Sequence, residues 1–566
     1  MQPIIELRNV TYQYPGANTP VLRDVNLTIE KGDFVAILGG NGSGKSTMCK
    51  LFNGLIPHYY VGDLSGKVTV NSRSTLDHKV SDFSKTVGYV YQDFENQIVS
   101  PRVLEDASFA PLHFGLPDFE ERGIRALEVV GLLEHRDEFV WQLSGGQKHL
   151  LALASILSLN PDIIIIDEPS AQLDPQHARE IYKLLQKLNK EEGKTIIVIE
   201  HHTEFVAEFA NTVILMNQGS IEFKLPVVKA LNEIELLEQH QIFPPQVTQA
   251  AAKCFPHKEQ LPITIRESLD LFERGGQMEE EVSSPGPERE VIVQYDKVCY
   301  SYQTITKKKK RVLHDINLTI NEGDYIALVG NNGAGKSTLM RLLTGLIKQE
   351  IGNVFLGGKD IRKTTPEKLA ERITYIYQNP EQMFIDDSVE KDIGFYLRAR
   401  KHPQTEKIVN QLVEQFHLKE LKKRDSRLLS GGQQRRASLA IGMGMNPQIM
   451  LLDEPTANLD ISTRKQVSRL LAQLKSQLKA VVIATHDMQL ACEFANRIIV
   501  MHEGRIIHDG DKYSVYANQW LLKKAGLYPP QIFTLSKELE WKHPVFSVEE
   551  FVQQYERREV SYGVWT

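Results

Sequence analysis

Residues 34–47 read FVAILGGNGSGKST. An apolar run, Phe34 to Leu38, ends at Gly39-Gly40-Asn41-Gly42-Ser43-Gly44-Lys45-Ser46-Thr47, which fits GxxxxGK[ST]. Glycines let the backbone curl until successive N–H groups face one anion, and the following helix adds positive potential at its N-terminus. The pattern therefore predicts a buried strand, a phosphate-binding loop and a helix, in that order. Lys45 is expected at the β- and γ-phosphates of a nucleotide, with Ser46 on Mg2+.

Residues 325–338 repeat the pattern as YIALVGNNGAGKST, with Gly330-Asn331-Asn332-Gly333-Ala334-Gly335-Lys336-Ser337-Thr338 as the loop. Lys336 and Ser337 take the same expected roles. The correspondence continues at a nearly constant offset, pairing Gln92 with Gln378, Ser144 with Ser430, Asp167 with Asp453 and His201 with His486. Two long blocks in one register mean that a whole domain is duplicated, not that a short solenoid repeat is present. The expected boundaries are 1–225 and 291–515. Residues 226–290 hold an appendage and an acidic, Pro/Gly-bearing linker, and 516–566 a matching appendage. Phe243-Pro244-Pro245-Gln246 in one recurs as Tyr528-Pro529-Pro530-Gln531 in the other. Short β-rich runs such as Ile163–Ile166 and Ile196–Ile199 alternate with helical stretches such as Leu150–Leu159. That alternation predicts an α/β fold with a largely parallel core sheet in each copy.

The 566 residues are 42% hydrophobic and 24% charged, with a formal net charge of -6. Such a balance excludes wholesale disorder, collagen and a polytopic membrane protein. There is no basic excess to suggest nucleic acid as a partner, and none is expected. The 4 cysteines are scattered, so neither a disulfide framework nor a zinc knuckle is expected and a reducing cytoplasm fits best. The first residues lack the basic and apolar regions of a secretory signal. No apolar stretch is long enough to span a bilayer.

Ile163–Ile166 runs into Asp167-Glu168, and Ile449–Leu452 into Asp453-Glu454. The first carboxylate of each pair suits the magnesium shell. The second can polarise a water against a γ-phosphate. Leu143-Ser144-Gly145-Gly146-Gln147 and Leu429-Ser430-Gly431-Gly432-Gln433 each precede their Asp-Glu by the same distance. A Ser-Gly-Gly at a helix start is an N-cap and also a second anion site. With two phosphate loops and two such signatures, the chain resembles the ATP-binding-cassette ATPases over both copies.

The resemblance implies two tandem P-loop NTPase domains of ABC type. Each would have a parallel core sheet, an antiparallel β subdomain and a helical subdomain, with small C-terminal appendages. It implies ATP and Mg2+ as cofactors, with Asp167 and Asp453 beside Ser46 and Ser337 at the metal. Gln92 and Gln378 match the Q-loop glutamine, which also senses Mg2+ and the attacking water. Glu168 and Glu454 match the hydrolytic base. His201 and His486 match the switch histidine, and Tyr14 and Tyr302 the aromatic that stacks on adenine. Ser170 to Asp174 and Thr456 to Asp460 match the D-loop. In this family two cassettes pair head to tail, each phosphate loop facing the other's signature. Two departures mark the first copy. Leu150 stands where the second copy keeps Arg436, and Glu200-His201-His202 replaces Thr485-His486-Asp487. Neither removes a catalytic group, so both copies are expected to hydrolyse ATP.

The segments after each Q-loop, Val103 to Phe109 and Val389 to Phe395, are similar to those of the ATPases of energy-coupling-factor importers. That similarity implies a transmembrane scaffold protein and a small substrate-binding membrane subunit as partners. It places the chain peripherally on the cytoplasmic face of the cell membrane, powering uptake of a vitamin, vitamin precursor or metal ion. Two alternatives are a tandem monosaccharide-importer ATPase and a soluble cassette ATPase acting on the ribosome. The run Lys307 to Arg311, absent from the first copy, is expected to be a solvated hairpin tip.

Overall fold

The computed structural model describes residues 3–170, 173–274, 289–303, 309–457 and 459–562. Most of the acidic linker and Lys307-Lys308 of the basic run lie outside these residues, as do Ala171, Gln172 and Asn458 of the D-loops. The chain divides into two compact units. One is Met1–Gln277 with Gln531–Thr566, and the other is Met278–Pro530.

In the first unit a six-stranded sheet has the order Ser220–Pro226, Thr212–Asn217, Phe34–Leu38, Thr195–Ile199, Ile163–Asp167, Val87–Val90. All neighbours are parallel except the hairpin of the first two. Every residue of Phe34–Leu38, Ile163–Asp167 and Thr195–Ile199 is buried. A parallel sheet covered on both faces explains why these strands read as unbroken apolar runs. A four-stranded antiparallel sheet, order Leu22–Glu30, Pro3–Gln13, Asp63–Val70, Arg73–Ser74, forms a second layer. Helices Phe119–Val129 and Gly145–Leu157 build a helical subdomain.

The second unit repeats this plan. Its six-stranded sheet runs Ile373–Ile376, Ile449–Asp453, Ala480–Ala484, Asp324–Val329, Arg497–His502, Arg505–Gly510. Its antiparallel sheet pairs Val291–Gln303 with Lys309–Asn321 and Ile351–Leu356. Lys309, Lys310 and Arg311 of the basic run open strand Lys309–Asn321 and are exposed, with Lys309 in a surface ion pair to Glu350 at 2.7 Å.

The appendages differ from the one-per-copy arrangement expected above. Residues 516–530 stay with the second unit, whereas 531–562 pack into the first. There, Val247, Ala250 and Phe272 share one buried cluster with Ile532, Leu535, Trp541 and Phe551. Trp541 and Phe551 stack at 4.5 Å. Each extension alone is too short to enclose a core, and pooling their apolar faces solves that. The repeated Pro-Pro-Gln has a reciprocal role at the junction. Gln531 Oε1 accepts from the Val247 N–H at 3.1 Å, and Gln246 Oε1 from the Ile532 N–H at 3.0 Å. Each glutamine thus satisfies an orphan N–H in the first turn of the other's helix.

Replacing Gln531 by Ala should cost about 1 kcal/mol, the usual value of a lost cap. Phe551→Ala should cost about 3–5 kcal/mol. Urea midpoints of the two full-length variants should fall in that order.

Candidate functional site

The phosphate loops leave their strands through Gly39 and Gly330, at φ 153° and 145°. A Cβ on Gly39 would lie 2.4 Å from the Met216 carbonyl oxygen, and one on Gly330 2.1 Å from that of Met501. No side chain fits there, so the loop can press against the neighbouring strand. Helices Lys45–Phe52 and Lys336–Leu343 follow, each entered through a glycine in the left-handed region, Gly44 and Gly335. Lys45 Nζ donates to the carbonyls of Gly39 at 2.8 Å and Gly40 at 2.9 Å. Lys336 Nζ does the same to Gly330 at 2.6 Å and Asn331 at 3.2 Å. Ser43 Oγ and Asn331 Oδ1 are buried inside the loops.

The parallel register brings the other predicted residues to the same sheet edge. Gln92 follows Val87–Val90, Glu168 follows Ile163–Asp167 and His201 follows Thr195–Ile199. Gln92 Nε2 donates to Glu168 Oε2 at 2.8 Å, and His201 Nε2 lies 3.3 Å from Glu168 Oε1. In the second unit His486 Nδ1 is 2.9 Å from Glu454 Oε2. Glu168 and Glu454 both hold positive φ, 55° and 46°. This uncommon conformation for a long side chain recurs in both copies, as strain at a working site does. Burial pushes the Glu168 carboxyl up, but His201, Lys45 and Gln92 outweigh it and leave the group below the usual carboxylate range. Burial opposes Glu454 in the same way, and His486 and Lys336 carry it below. Both carboxylates are therefore ionised at neutral pH and able to accept a proton. His486 is moved the other way. Burial lowers it, but the Glu454 charge prevails and raises it.

Asp167 is buried at the strand end, and burial raises its pKa against the pull of the Ser46 hydroxyl and of Tyr89. Tyr89 Oη donates to Asp167 Oδ2 at 3.3 Å, and Tyr375 Oη donates to Asp453. A hydroxyl and a carboxylate side by side fit Mg2+, which takes few protein oxygens and keeps its waters. Tyr14 Oη and Tyr302 Oη reach Thr47 Oγ1 and Thr338 Oγ1 at 3.3 and 3.4 Å. That places both rings beside the start of the phosphate-loop helix.

Ser144 and Ser430 each open a helix with Gly145-Gly146-Gln147 and Gly431-Gly432-Gln433 in its first turn. The Ser144 and Ser430 N–H groups donate to Gln147 and Gln433 Oε1 at 2.9 and 3.1 Å.

Leu150 and Arg436 differ between the copies, but the preceding position matters more. Arg435 is buried, and its guanidinium donates to the carbonyls of Tyr377 at 2.9 Å, Gln378 at 2.7 Å and Glu454 at 3.4 Å. It pins the Gln378 loop and the turn at Glu454 to helix Gly431–Gly444. Burial lowers its pKa to about 10, against the charges of Asp453 and Glu454, so it stays cationic at neutral pH. In the first copy His149 fills the place. It stacks on Phe94 at 4.5 Å with both ring nitrogens buried and unbonded, and burial lowers its pKa to about 4.

Arg435→Met removes a buried charge's hydrogen bonds to three carbonyls and should destabilise the second unit by about 2–4 kcal/mol. His149→Phe removes polar atoms that bond nothing and should stay within about 1 kcal/mol of the parent. Thermal unfolding of both full-length variants checks the contrast.

The family model described as ABC transporter matches residues 22–171 and 313–457, and an AAA-domain model overlaps the first at 140–207. A provisionally named ABC transporter ATP-binding protein of Methanosarcina acetivorans is 33% identical over 564 residues, covering 95% of this chain and 90% of that protein. A provisionally named counterpart from Caldanaerobacter subterraneus subsp. tengcongensis is also 33% identical, covering 97% and 98%. Among solved structures, cbiO1 from Clostridium perfringens, titled as part of the ABC transporter complex cbiONQ, covers 44% of this chain and 99% of its own at 29% identity and TM-score 0.38. The RNase-L Inhibitor covers 91% and 93% at 20% identity and TM-score 0.58, a likeness of fold. Cassettes of this kind bind ATP with Mg2+. The chain belongs to the ABC transporter family and is an ATPase with two cassettes in tandem.

Proposed function

We propose that this chain is the energy-coupling ATPase of an importer of the energy-coupling-factor type. It would power uptake of a vitamin, vitamin precursor or metal ion through separate membrane subunits, with its two cassettes paired. One observation carries the proposal. Next to each Q-loop the same position is exposed and apolar, Val99 at 60% and Ile385 at 62%. Phe109 and Phe395, on the helices that follow, are likewise exposed in both copies. Isolated exposed apolar residues are ordinary, but matched pairs beside a functional loop mark a docking face. No helix among the described residues is long and apolar enough to cross a membrane, so a membrane pathway would be supplied by other chains.

Glu168 and Glu454 are proposed as the bases that take a proton from the attacking water. His201 and His486 hold those carboxylates in place, and Gln92 orients the first of them. Lys45, Lys336 and the loop N–H groups bind the β- and γ-phosphates. Tyr14 and Tyr302 support the adenine, and Ser144 and Ser430 present their helix N-termini to phosphate. Mg2+, when bound beside Ser46–Asp167 and Ser337–Asp453, neutralises phosphate charge.

Glu168→Gln and Glu454→Gln should each lower ATP turnover by about two orders of magnitude or more if the paired sites fire together. A steady-state phosphate-release assay reads this. Loss in one variant alone would show that the sites are unequal.

The paired Val99→Asp/Ile385→Asp variant should keep the ATPase activity of the isolated protein while losing co-purification with transmembrane subunits from detergent-solubilised membranes. Co-sedimentation with ribosomes in place of membrane subunits would favour the soluble alternative.

A further inference from the structure

The switch histidines are flanked by different residues in the two copies, and the two differences compensate in space. In the first unit Glu200 precedes His201 and His202 follows it. In the second, Thr485 precedes His486 and Asp487 follows it. Glu200 is 1% exposed. Its carboxylate accepts from Ser170 Oγ at 2.7 Å, from Tyr182 Oη at 2.9 Å and from the His202 N–H at 3.0 Å. Ser170 lies on the turn just past Glu168, and Tyr182 on helix Pro175–Glu192.

The second unit reaches the same end differently. Thr456, the counterpart of Ser170, donates to Asp487 Oδ2 at 3.1 Å. The Asp487 N–H donates to Thr485 Oγ1 at 2.9 Å, and Asp487 Oδ1 caps helix Met488–Phe494 through the Leu490 N–H at 3.0 Å. In both units a hydroxyl from the turn after the glutamate is held by a carboxylate next to the histidine. The carboxylate has moved from one side of the histidine to the other. At the Tyr182 position the second unit has Ser468, so the third donor belongs to the first unit's version.

We infer that Glu200 is a positioning residue, tying the turn after Glu168 to the backbone at His201 as Asp487 does for His486. A buried carboxylate is costly unless its lone pairs are satisfied, and three donors from three chain segments satisfy this one. Two loops that could otherwise move separately are thereby held in one geometry, with His201 Nε2 3.3 Å from Glu168 Oε1. Burial holds the Glu200 carboxyl above the usual carboxylate range, against the bonds from Ser170, His202 and Tyr182, which favour its ionised form. The inference rests on Glu168 and His201 being the hydrolytic pair proposed above, so the test separates the two.

ATP turnover of the full-length protein is measured across ATP concentrations for Glu200→Thr, Glu200→Thr/His202→Asp, and that pair with Tyr182→Phe, which removes the stranded hydroxyl. Glu168→Gln is run in parallel. Glu200→Thr should lower kcat about twofold or more, with KM for ATP changed less than about twofold. Adding His202→Asp and Tyr182→Phe transplants the second copy's arrangement and should recover most of the lost kcat. Full kcat in Glu200→Thr, or no recovery in a folded triple variant, overturns the inference. If Glu200→Thr does not fold, Glu200→Gln decides, since it keeps shape and one acceptor oxygen and should give a smaller loss of the same kind. Unchanged turnover in Glu168→Gln would instead overturn the hydrolytic assignment, whatever the Glu200 variants do.

Discussion

The candidate site depends on the parallel hydrogen-bond ladder of four neighbouring strands in each unit. In the first, Phe34–Leu38, Thr195–Ile199, Ile163–Asp167 and Val87–Val90 are adjacent and run the same way. Their carboxyl ends therefore meet at one edge, where open α/β sheets place their ligands. A phosphate loop, a histidine, an Asp-Glu pair and a glutamine leave from those ends. Residues far apart in sequence become neighbours without any contact designed for that purpose alone.

On this shared frame the two copies diverge in how they brace the same parts. The second uses a buried guanidinium, Arg435, to hold the Q-loop and hydrolytic turn, where the first relies on His149 stacked on Phe94. The second caps the helix after its switch histidine with Asp487, while the first buries Glu200 among three donors. Each exchange trades charge-assisted bonds for packing, or one carboxylate position for another. The Lys, Gln, Asp, Glu and His at the sheet edge stay the same. Duplication frees the supports to change, and a buried charge is kept only where it is bonded: Arg435 and Glu200 have their partners, whereas His149 is stacked with both ring nitrogens unbonded.

The appendages follow from size. Residues 246–272 and 531–557 each carry a few apolar faces, and together they make one aromatic-rich core in the first unit. The repeated Pro-Pro-Gln was visible as a repeat, but its work as a reciprocal pair of caps needed both segments to meet.

Much was legible in one dimension because some constraints are local. GxxxxGK[ST] after an apolar run, Asp-Glu at the end of another and Ser-Gly-Gly opening a helix are each set by backbone geometry within a few residues. Their recurrence in register established two α/β cassettes and their nucleotide. Tyr89 and Tyr375 were not singled out along the chain, although Tyr-x-Tyr recurs before each glutamine. Their bonds to Asp167 and Asp453 depend on strand neighbours. Arg435 gave no signal of its own beside Arg436, and Glu200 was read as an exchange that removes no catalytic group. What a buried charge does is decided by the groups around it, and those come from distant segments. The duplicated cassettes, and the residues proposed to meet ATP, could be read along the chain alone, because their motifs rest on local backbone form. Only the tertiary structure decided which segments share the appendage core and which buried groups hold the catalytic loops, because burial and hydrogen bonding are relations between parts the chain must first bring together.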